Sequence, residues 1–346
     1  MRKVVIHRPG THKELKLETS RQALPGPGEV RIRVCAIGVN YADCVVRMGL
    51  YASAREFVGW PITPGFEVAG VVDVVGDGVD APHLTPGARV VAVTLFGGYA
   101  SEVVVPAHQV FACPENLSLP QAAAIPSVFL TGYYALYELA AVREGQDVLI
   151  HSAAGGVGGA MVQLARRVGC RVVGVVGASH KIKRVRDLGI EDVIDKSTQA
   201  LWPTAEKMAP GGYQTIADAN GVATLADSYE HLAPTGRLIV YGFHTMLPKT
   251  GRRNWLKLGW NYLRTPKFDP MRLTNENRSV MGFNLSYMFE NRDLLARGLG
   301  ELLDWFADGS LTAPPVTEYA LEDVARAHQD LESAQTVGKL VLRCEE

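Results

Sequence analysis

The sequence has no CxxC pair. Its five cysteines, Cys35, Cys44, Cys113, Cys170 and Cys344, are odd in number and widely spaced, which fits reduced thiols in a reducing compartment better than a disulfide framework. Net charge is missing too: 35 basic residues against 36 acidic ones leave −1, so no whole-molecule field draws the chain to nucleic acid or to an anionic membrane. No continuous apolar run approaches the length of about 18 residues that a bilayer-crossing helix needs. The longest uncharged stretch, 116–137, is broken by Asn116, Pro120, Gln121 and Pro126. The opening MRKVVIHRPG lacks the apolar core and cleavage site of a signal peptide and reads as a first strand. Low-complexity tracts and internal repeats are absent as well. What these absences leave is a cytoplasmic globular protein, and 346 residues with 47% hydrophobic and 21% charged content predict two domains.

What is present changes texture along the chain. The first third carries short β-branched runs, EVRIRVCAIGV, VAGVVDVVG, ARVVAVTLF and ASEVVVP, between Gly and Pro turns; this pattern predicts a small all-β unit. From about Leu119 strands alternate with helices: strand Asp147 to His151, helix to Val168, strand Arg171 to Val176, helix from Lys181, strand Asp192 to Asp195, then QTIADA, TLADSYEHLA and RLIVYG. Strands separated by helices of this length imply parallel βαβ units with right-handed crossovers. After NRSVMGFNL come a helix from Arg292 to Asp308, a second from Glu322 to Ala334 and a closing strand GKLVLR. Since about six strands already complete the nucleotide fold, this tail is assigned to the first domain. The expected organisation is an α/β protein, with a β domain of residues 1–120 and 291–346 and a nucleotide domain of 121–290.

The strongest local signal is Ala153-Ala154-Gly155-Gly156-Val157-Gly158, directly after a strand and opening a helix. Gly155 lets the backbone approach a pyrophosphate, Gly158 lets helix and strand pack closely, and the helix N-terminus supplies amide donors. Sites for NAD usually carry an acid at the end of the second strand to hold the ribose hydroxyls. Here VVGVVGASHKIKR has none. Ser179 as a hydroxyl donor and Lys181 as a cation suit a 2′-phosphate, so NADPH is the expected cofactor, whereas Lys183 and Arg184 are read as solvating a helix face.

The series GVNYAD, GLY, PGFEVAGVVDVVGDGV, GGYASEVVVP, AAAIPSVFLTGYYAL and AAGGVGGAMVQLA resembles the zinc-independent quinone oxidoreductase branch of the medium-chain dehydrogenase/reductase superfamily, over essentially the whole chain. The resemblance implies a GroES-like β-barrel domain containing both termini and a Rossmann domain with a doubly wound parallel sheet. Zinc members would present Cys where this chain has Asn40 and His where it has Phe66, and the four-cysteine structural loop is absent. A catalytic zinc needs three protein ligands, so no metal is expected. Without a Lewis acid, the better substrate is a conjugated enone or quinone, whose carbonyl oxygen takes up the charge when hydride adds to the double bond.

By resemblance, Asn40 binds substrate or cofactor through its amide, and Tyr51 lines the pocket and donates a proton or simply packs. The pocket tyrosine found in bacterial relatives five residues after the asparagine is replaced by Val45. Further cofactor contacts carried over by motif are Thr131, Tyr241, Gly242, Asn220, Phe283, Asn284 and Leu285, with Lys196 as an additional cation. Gly338 and Lys339 approach the cofactor or are only a closing strand and a surface lysine. Glu67 is read as a structural remnant of the shared fold.

An insert at 244–278 interleaves Trp255, Trp260, Tyr262 and Phe268 with Lys249, Arg252, Arg253, Lys257, Arg264, Lys267 and Arg272. With NRSVMGFNLSYM it resembles the synaptic-vesicle membrane protein (vesicle amine transport protein) group. The preferred reading is a lid or dimer contact; the alternative is a basic amphipathic element touching acidic lipid. The expected function is NADPH-dependent reduction of a small hydrophobic enone or quinone by a homodimer, with SVMGFNL as the seam. A stand-alone enoyl-thioester reductase and a non-catalytic NADPH sensor or membrane-peripheral scaffold are the alternatives.

Overall fold

A computed structural model describes residues 1–246 and 255–344. The described residues divide into one unit of 1–130 and 286–344 and another of 131–246 and 255–285. These divisions fall ten residues after and five residues before the expected ones. The change of texture at Leu119 marks a helix, Leu119–Ala123, that packs on the strands of the first unit and so does not begin the second.

In chain order the strands are β1 (Arg2–Val5), β2 (Lys16–Thr19), β3 (Glu29–Val39), β4 (Glu67–Val75), β5 (Arg89–Val93), β6 (Glu102–Pro106) and β7 (Val110–Ala112). Then follow β8 (Asp147–Ile150), β9 (Arg171–Val176), β10 (Val193–Asp195), β11 (Tyr213–Asp218), β12 (Leu232–Val240) and β13 (Ser279–Gly282), and finally β14 (Val316–Ala320) and β15 (Lys339–Arg343).

The first unit is built on a sheet of order β14-β15-β3-β4-β5-β7, with β6 pairing antiparallel to the first half of β3, Glu29–Arg33. Both chain ends contribute, as expected: β15 runs antiparallel to β3. Alternate residues Val30, Ile32 and Val34 of β3 point into the core, but Ala36 and Ile37 are buried consecutively. The pairing with β4 slips between Val34 and Ala36, and such a bulge is what lets a strand change face. Gly70 sits where β4 presses on β3, and a Cβ there would collide with the Arg33 carbonyl. Val68, Val72, Val90, Ala92, Leu340 and Leu342 close the core, each larger side chain contributing about 1.5–3 kcal/mol by burial.

The second unit holds a parallel sheet of order β10-β9-β8-β11-β12-β13. Counted from β8 this is 3-2-1-4-5-6, the doubly wound dinucleotide order. Its strands are buried on both faces, which is why Leu149, Val173, Val175, Ile216 and Leu238 read as unbroken apolar runs. Between β8 and β9 the helix Gly156–Val168 buries Ala160, Met161, Leu164 and Ala165 and ends at Gly169 with a left-handed φ of 86°. The next helix starts at Ile182, one residue later than expected, because Ser179–Lys181 form a 3-10 turn.

Candidate active site

Strand order reverses between β8 and β11, and open α/β sheets take their ligands outside the carboxyl ends of the strands at such a reversal. The glycine loop lies at this point. Gly155 is the N-cap of the helix Gly156–Val168, so the amides of Gly156, Val157 and Gly158 belong to the first turn, which has no acceptors within the helix. Gly158 lies flush against β8's exit, where a Cβ would collide with the Ser152 carbonyl, and Ala154 is buried beneath. This is the close helix–strand approach expected of the last glycine.

Across the reversal, Asn220 is 1% exposed, yet neither its amide oxygen nor its amide nitrogen has a partner among the described residues. An unpaired buried amide is costly, and a polar ligand group would satisfy it. The residue is held by Asp218, whose Oδ1 accepts from the Asn220 backbone N–H at 2.7 Å. Asp218 Oδ2 accepts from Thr224 Oγ1 at 2.7 Å and from Ser228 Oγ at 2.8 Å. With its proton so committed, Ser228 accepts from His151 Nε2 at 3.1 Å. Burial lowers the His151 pKa despite the neighbouring Asp218, so the ring is neutral. His151 and Asp218 were not singled out from sequence; the available signal was a polar residue at the end of each of two apolar strands.

The β11 and β12 exits are knitted together. Tyr241 N–H donates to the Asp218 carbonyl at 3.1 Å, His244 N–H to Ala219 at 3.0 Å and Thr245 N–H to Asn220 at 3.0 Å. Gly242 faces Ala219. Burial pushes the Tyr241 hydroxyl pKa up, keeping it neutral. The Phe283 ring packs on Tyr134 with centroids 4.9 Å apart, and its N–H reaches the Val240 carbonyl at 3.4 Å. Asn284 follows, and Leu285 opens a 3-10 turn. Thr131, partly buried, lies on the helix Pro126–Tyr133.

The 2′-phosphate corner needs a correction. Ser179 Oγ donates at 2.5 Å to Asp195, so its proton is not on offer to a phosphate. The acid missing from the end of β9 stands at the end of the adjacent strand β10. Asp195 also accepts from the N–H and Oγ of Ser197, and the hydrogen bonds hold its carboxyl below the usual range. The two lysines do converge: burial, and then the charge of Lys196, lower the Lys181 pKa, and the Lys196 stem lies over Gly177.

In the first unit Asn40 caps the helix Tyr41–Arg47 and is 8% exposed. Its Nδ2 donates to Glu67 Oε1 at 2.8 Å, and its Oδ1 accepts from Lys339 Nζ. Lys339 and Glu67 form an ion pair at 2.7 Å with side chains 3% and 0% exposed. Lys339 is therefore no surface lysine, and Glu67 is no inert remnant: its second oxygen accepts from the Ser127 N–H at 2.7 Å. The Asn40 backbone N–H donates to Asp43 at 2.8 Å; Asp43 also accepts from Tyr99 and Gly65, and burial raises its pKa to about 7. Phe66 is buried and forms an aromatic cluster with Tyr51 (5.8 Å) and Phe96 (5.3 Å). The Tyr51 hydroxyl meets Ser286 Oγ at 3.0 Å, and Val45 is partly buried. Among the described residues no three His, Cys, Asp or Glu side chains form a group that could hold a metal ion.

Of the insert, 247–254 and the side chains of Trp255 and Lys257 lie outside the described residues. The helix Trp255–Arg264 turns Leu256, Trp260, Tyr262 and Leu263 to solvent while Asn261 is buried. No helix among the described residues is long and apolar enough to cross a membrane.

A GroES-like barrel, a 3-2-1-4-5-6 sheet with a glycine loop at its reversal, and Asn and Phe at the two ligand positions define a medium-chain dehydrogenase/reductase of the quinone oxidoreductase type. The chain belongs to this superfamily: residues 26–115 match the alcohol dehydrogenase GroES-like domain and 188–342 the zinc-binding dehydrogenase family. It is 34% identical over 338 residues to the synaptic vesicle membrane protein VAT-1 homolog of Rattus norvegicus, covering 96% of this chain and 81% of the relative. Escherichia coli quinone oxidoreductase complexed with NADPH superposes with a TM-score of 0.85 at 27% identity, covering 99% of this chain and all of that one. The CurK enoyl reductase gives 0.84 at 26% identity over 99% and 98% of the two chains.

Proposed function

We propose that the protein is an NADPH-dependent reductase that delivers hydride to an activated C=C or quinone. The observation that carries this reading is Asn40: a zinc-ligand position holds a carboxamide, clamped at both ends by Glu67 and Lys339, with one N–H left to donate. The residues of the second unit fit the cofactor: Lys181 and Lys196 for a 2′-phosphate, the first-turn amides at Gly156–Gly158 for a pyrophosphate, and the unpaired amide of Asn220 for a further polar group. When bound, NADPH supplies a hydride from its nicotinamide C4.

The protein's own contribution is positional and electrostatic. The remaining Asn40 N–H donates to the substrate oxygen on which negative charge accumulates, an interaction that strengthens toward the transition state. Phe66, Phe96 and the Tyr51 ring offer an apolar wall to a flat, hydrophobic substrate and keep water from it. Resemblance to the CurK enoyl reductase supports enoyl thioesters as a second substrate class. We also propose a homodimer joined at β13, the terminal strand of its sheet, because an unpaired strand edge is a template for pairing.

The test is steady-state NADPH oxidation with para-quinones, α,β-unsaturated ketones and enoyl thioesters, beside a binding titration of NADPH. Turnover of a quinone or enone is expected. Turnover of thioesters alone would move the protein to the enoyl reductases, and tight NADPH binding with background turnover throughout would leave only a sensor or scaffold.

A further inference from the structure

We propose that Lys339 and Glu67 are a buried positioning pair that fixes the Asn40 amide in one orientation, so that its free Nδ2–H is the donor presented to substrate. The proposal rests on the reductase reading above. A carboxamide is nearly symmetric in shape, and its two orientations differ only in which end donates. An ammonium can only donate and an ionised carboxylate can only accept. With Lys339 Nζ on Oδ1 and Glu67 Oε1 on Nδ2, reversing the amide would set donor against donor and acceptor against acceptor. One orientation survives, and in it a single N–H remains uncommitted among the described residues.

The surrounding chain is shaped for this pair. A Cβ on Gly38 would collide with the Glu67 carboxylate and with the Ala123 carbonyl, so glycine makes the space in which Glu67 lies. The Ser127 N–H, in the first turn of the helix Pro126–Tyr133, fixes the other oxygen of Glu67. Gly338, at φ 75°, brings the start of β15 against the Pro315 carbonyl, where a Cβ would not fit, and this sets the point from which Lys339 reaches inward. None of these residues belongs to the hydrophobic core cluster of the first unit.

The test uses Glu67→Gln/Lys339→Met, which removes both charges at similar volume and leaves no lone buried ion. At saturating NADPH, kcat with the best quinone or enone should fall about tenfold, the loss expected when one hydrogen bond to developing charge is misaligned, while the Kd for NADPH stays unchanged. The Asn40 side-chain N–H pair, assigned in a 15N spectrum by its loss in Asn40→Ala, should shift. In an Asn40→Ala background the double change should lower kcat no further. Lys339→Arg, which keeps a cation and its donors, should retain most of the wild-type kcat, and it serves as the test if the double variant fails to fold. An undiminished kcat in the double variant, an equal fall in both backgrounds, or a collapse in Lys339→Arg overturns the proposal. Wild-type protein that binds NADPH but reduces nothing overturns the reductase reading instead; the N–H pair then decides the positioning role, an unmoved pair refuting it.

Discussion

Lys181→Ala should weaken NADPH far more than NADH. Lys181 is partly buried, and burial and then the charge of Lys196 both disfavour its ammonium form. Two cations that repel each other are stabilised together by one dianion, so each should contribute when a phosphate arrives. A unit charge pair at about 4 Å and an effective dielectric near 20 is worth about 4 kcal/mol. Partial exposure screens that value, and deleting Lys181 also relieves its repulsion with Lys196, so a net loss of about 2 kcal/mol, about thirtyfold in Kd, is the expectation. NADH has no 2′-phosphate and should lose less than about threefold. Fluorescence titration of both cofactors against wild type, Lys181→Ala and Lys196→Ala measures this directly, and added salt should weaken NADPH more than NADH. Equal losses for the two cofactors, or no loss of NADPH, would refute the phosphate assignment. Ser179→Ala gives the complementary control: its proton goes to Asp195, so it should change the NADPH-to-NADH ratio little.

Lys339→Met alone leaves the Glu67 carboxylate buried without its cation, and urea melts should show a loss of about 3–5 kcal/mol that Glu67→Gln largely restores. His328 is fully buried and its pKa is lowered well below the usual value, first by burial and second by Arg47. In the unfolded chain it takes a proton near 6.5 that the folded chain refuses, so stability should fall as pH drops below that value, by up to about 1.4 kcal/mol per pH unit for this group; His328→Gln should flatten that limb. Gly158→Ala should abolish tight NADPH binding in a titration, because the added methyl meets the Ser152 carbonyl and pries the helix from β8. Trp260→Ala/Leu263→Ala should leave urea stability within about 0.5 kcal/mol, as both side chains are exposed. Wild type and variant should alike stay out of the pellet with anionic vesicles; wild-type pelleting lost in the variant would overturn the lid or dimer reading of this helix.

Features carried by local pattern were legible in the sequence, and features carried by distant pairing were not. The alternation of apolar strands and helices after Asp147 gave the parallel sheet, because the strand and helix periods are visible within a few residues. The turn of the glycine loop into its helix was legible because it depends on immediate neighbours, Gly158 on Ser152. Ser179 was misread because its partner Asp195 lies on the next strand, and nothing in ASHKIKR reveals a parallel pairing that sets Val176 beside Asp195. Lys339 was left open for the same reason at greater range: it meets Asn40 across 299 positions, through the antiparallel pairing of β15 with β3. Glu67 looked inert because its neighbour in sequence, Phe66, was the conspicuous change.

That pairing bears on why a glutamate persists beside a lost ligand position. Taking a carboxylate and an ammonium out of water costs several kcal/mol each, and a buried pair rarely stabilises a fold more than apolar residues of the same volume would. If Glu67 and Lys339 served only the fold, a Leu and a Met would serve it as well, with no need for Ser127 to supply an amide. Every hydrogen bond described for the pair ends on the other member, on the amide of Asn40 or on the Ser127 amide that anchors Glu67. The ion pair is therefore better understood as the support of a hydrogen-bond donor than as a stabiliser of the barrel. On that reasoning, replacing both charges together should be nearly neutral in stability and expensive in turnover.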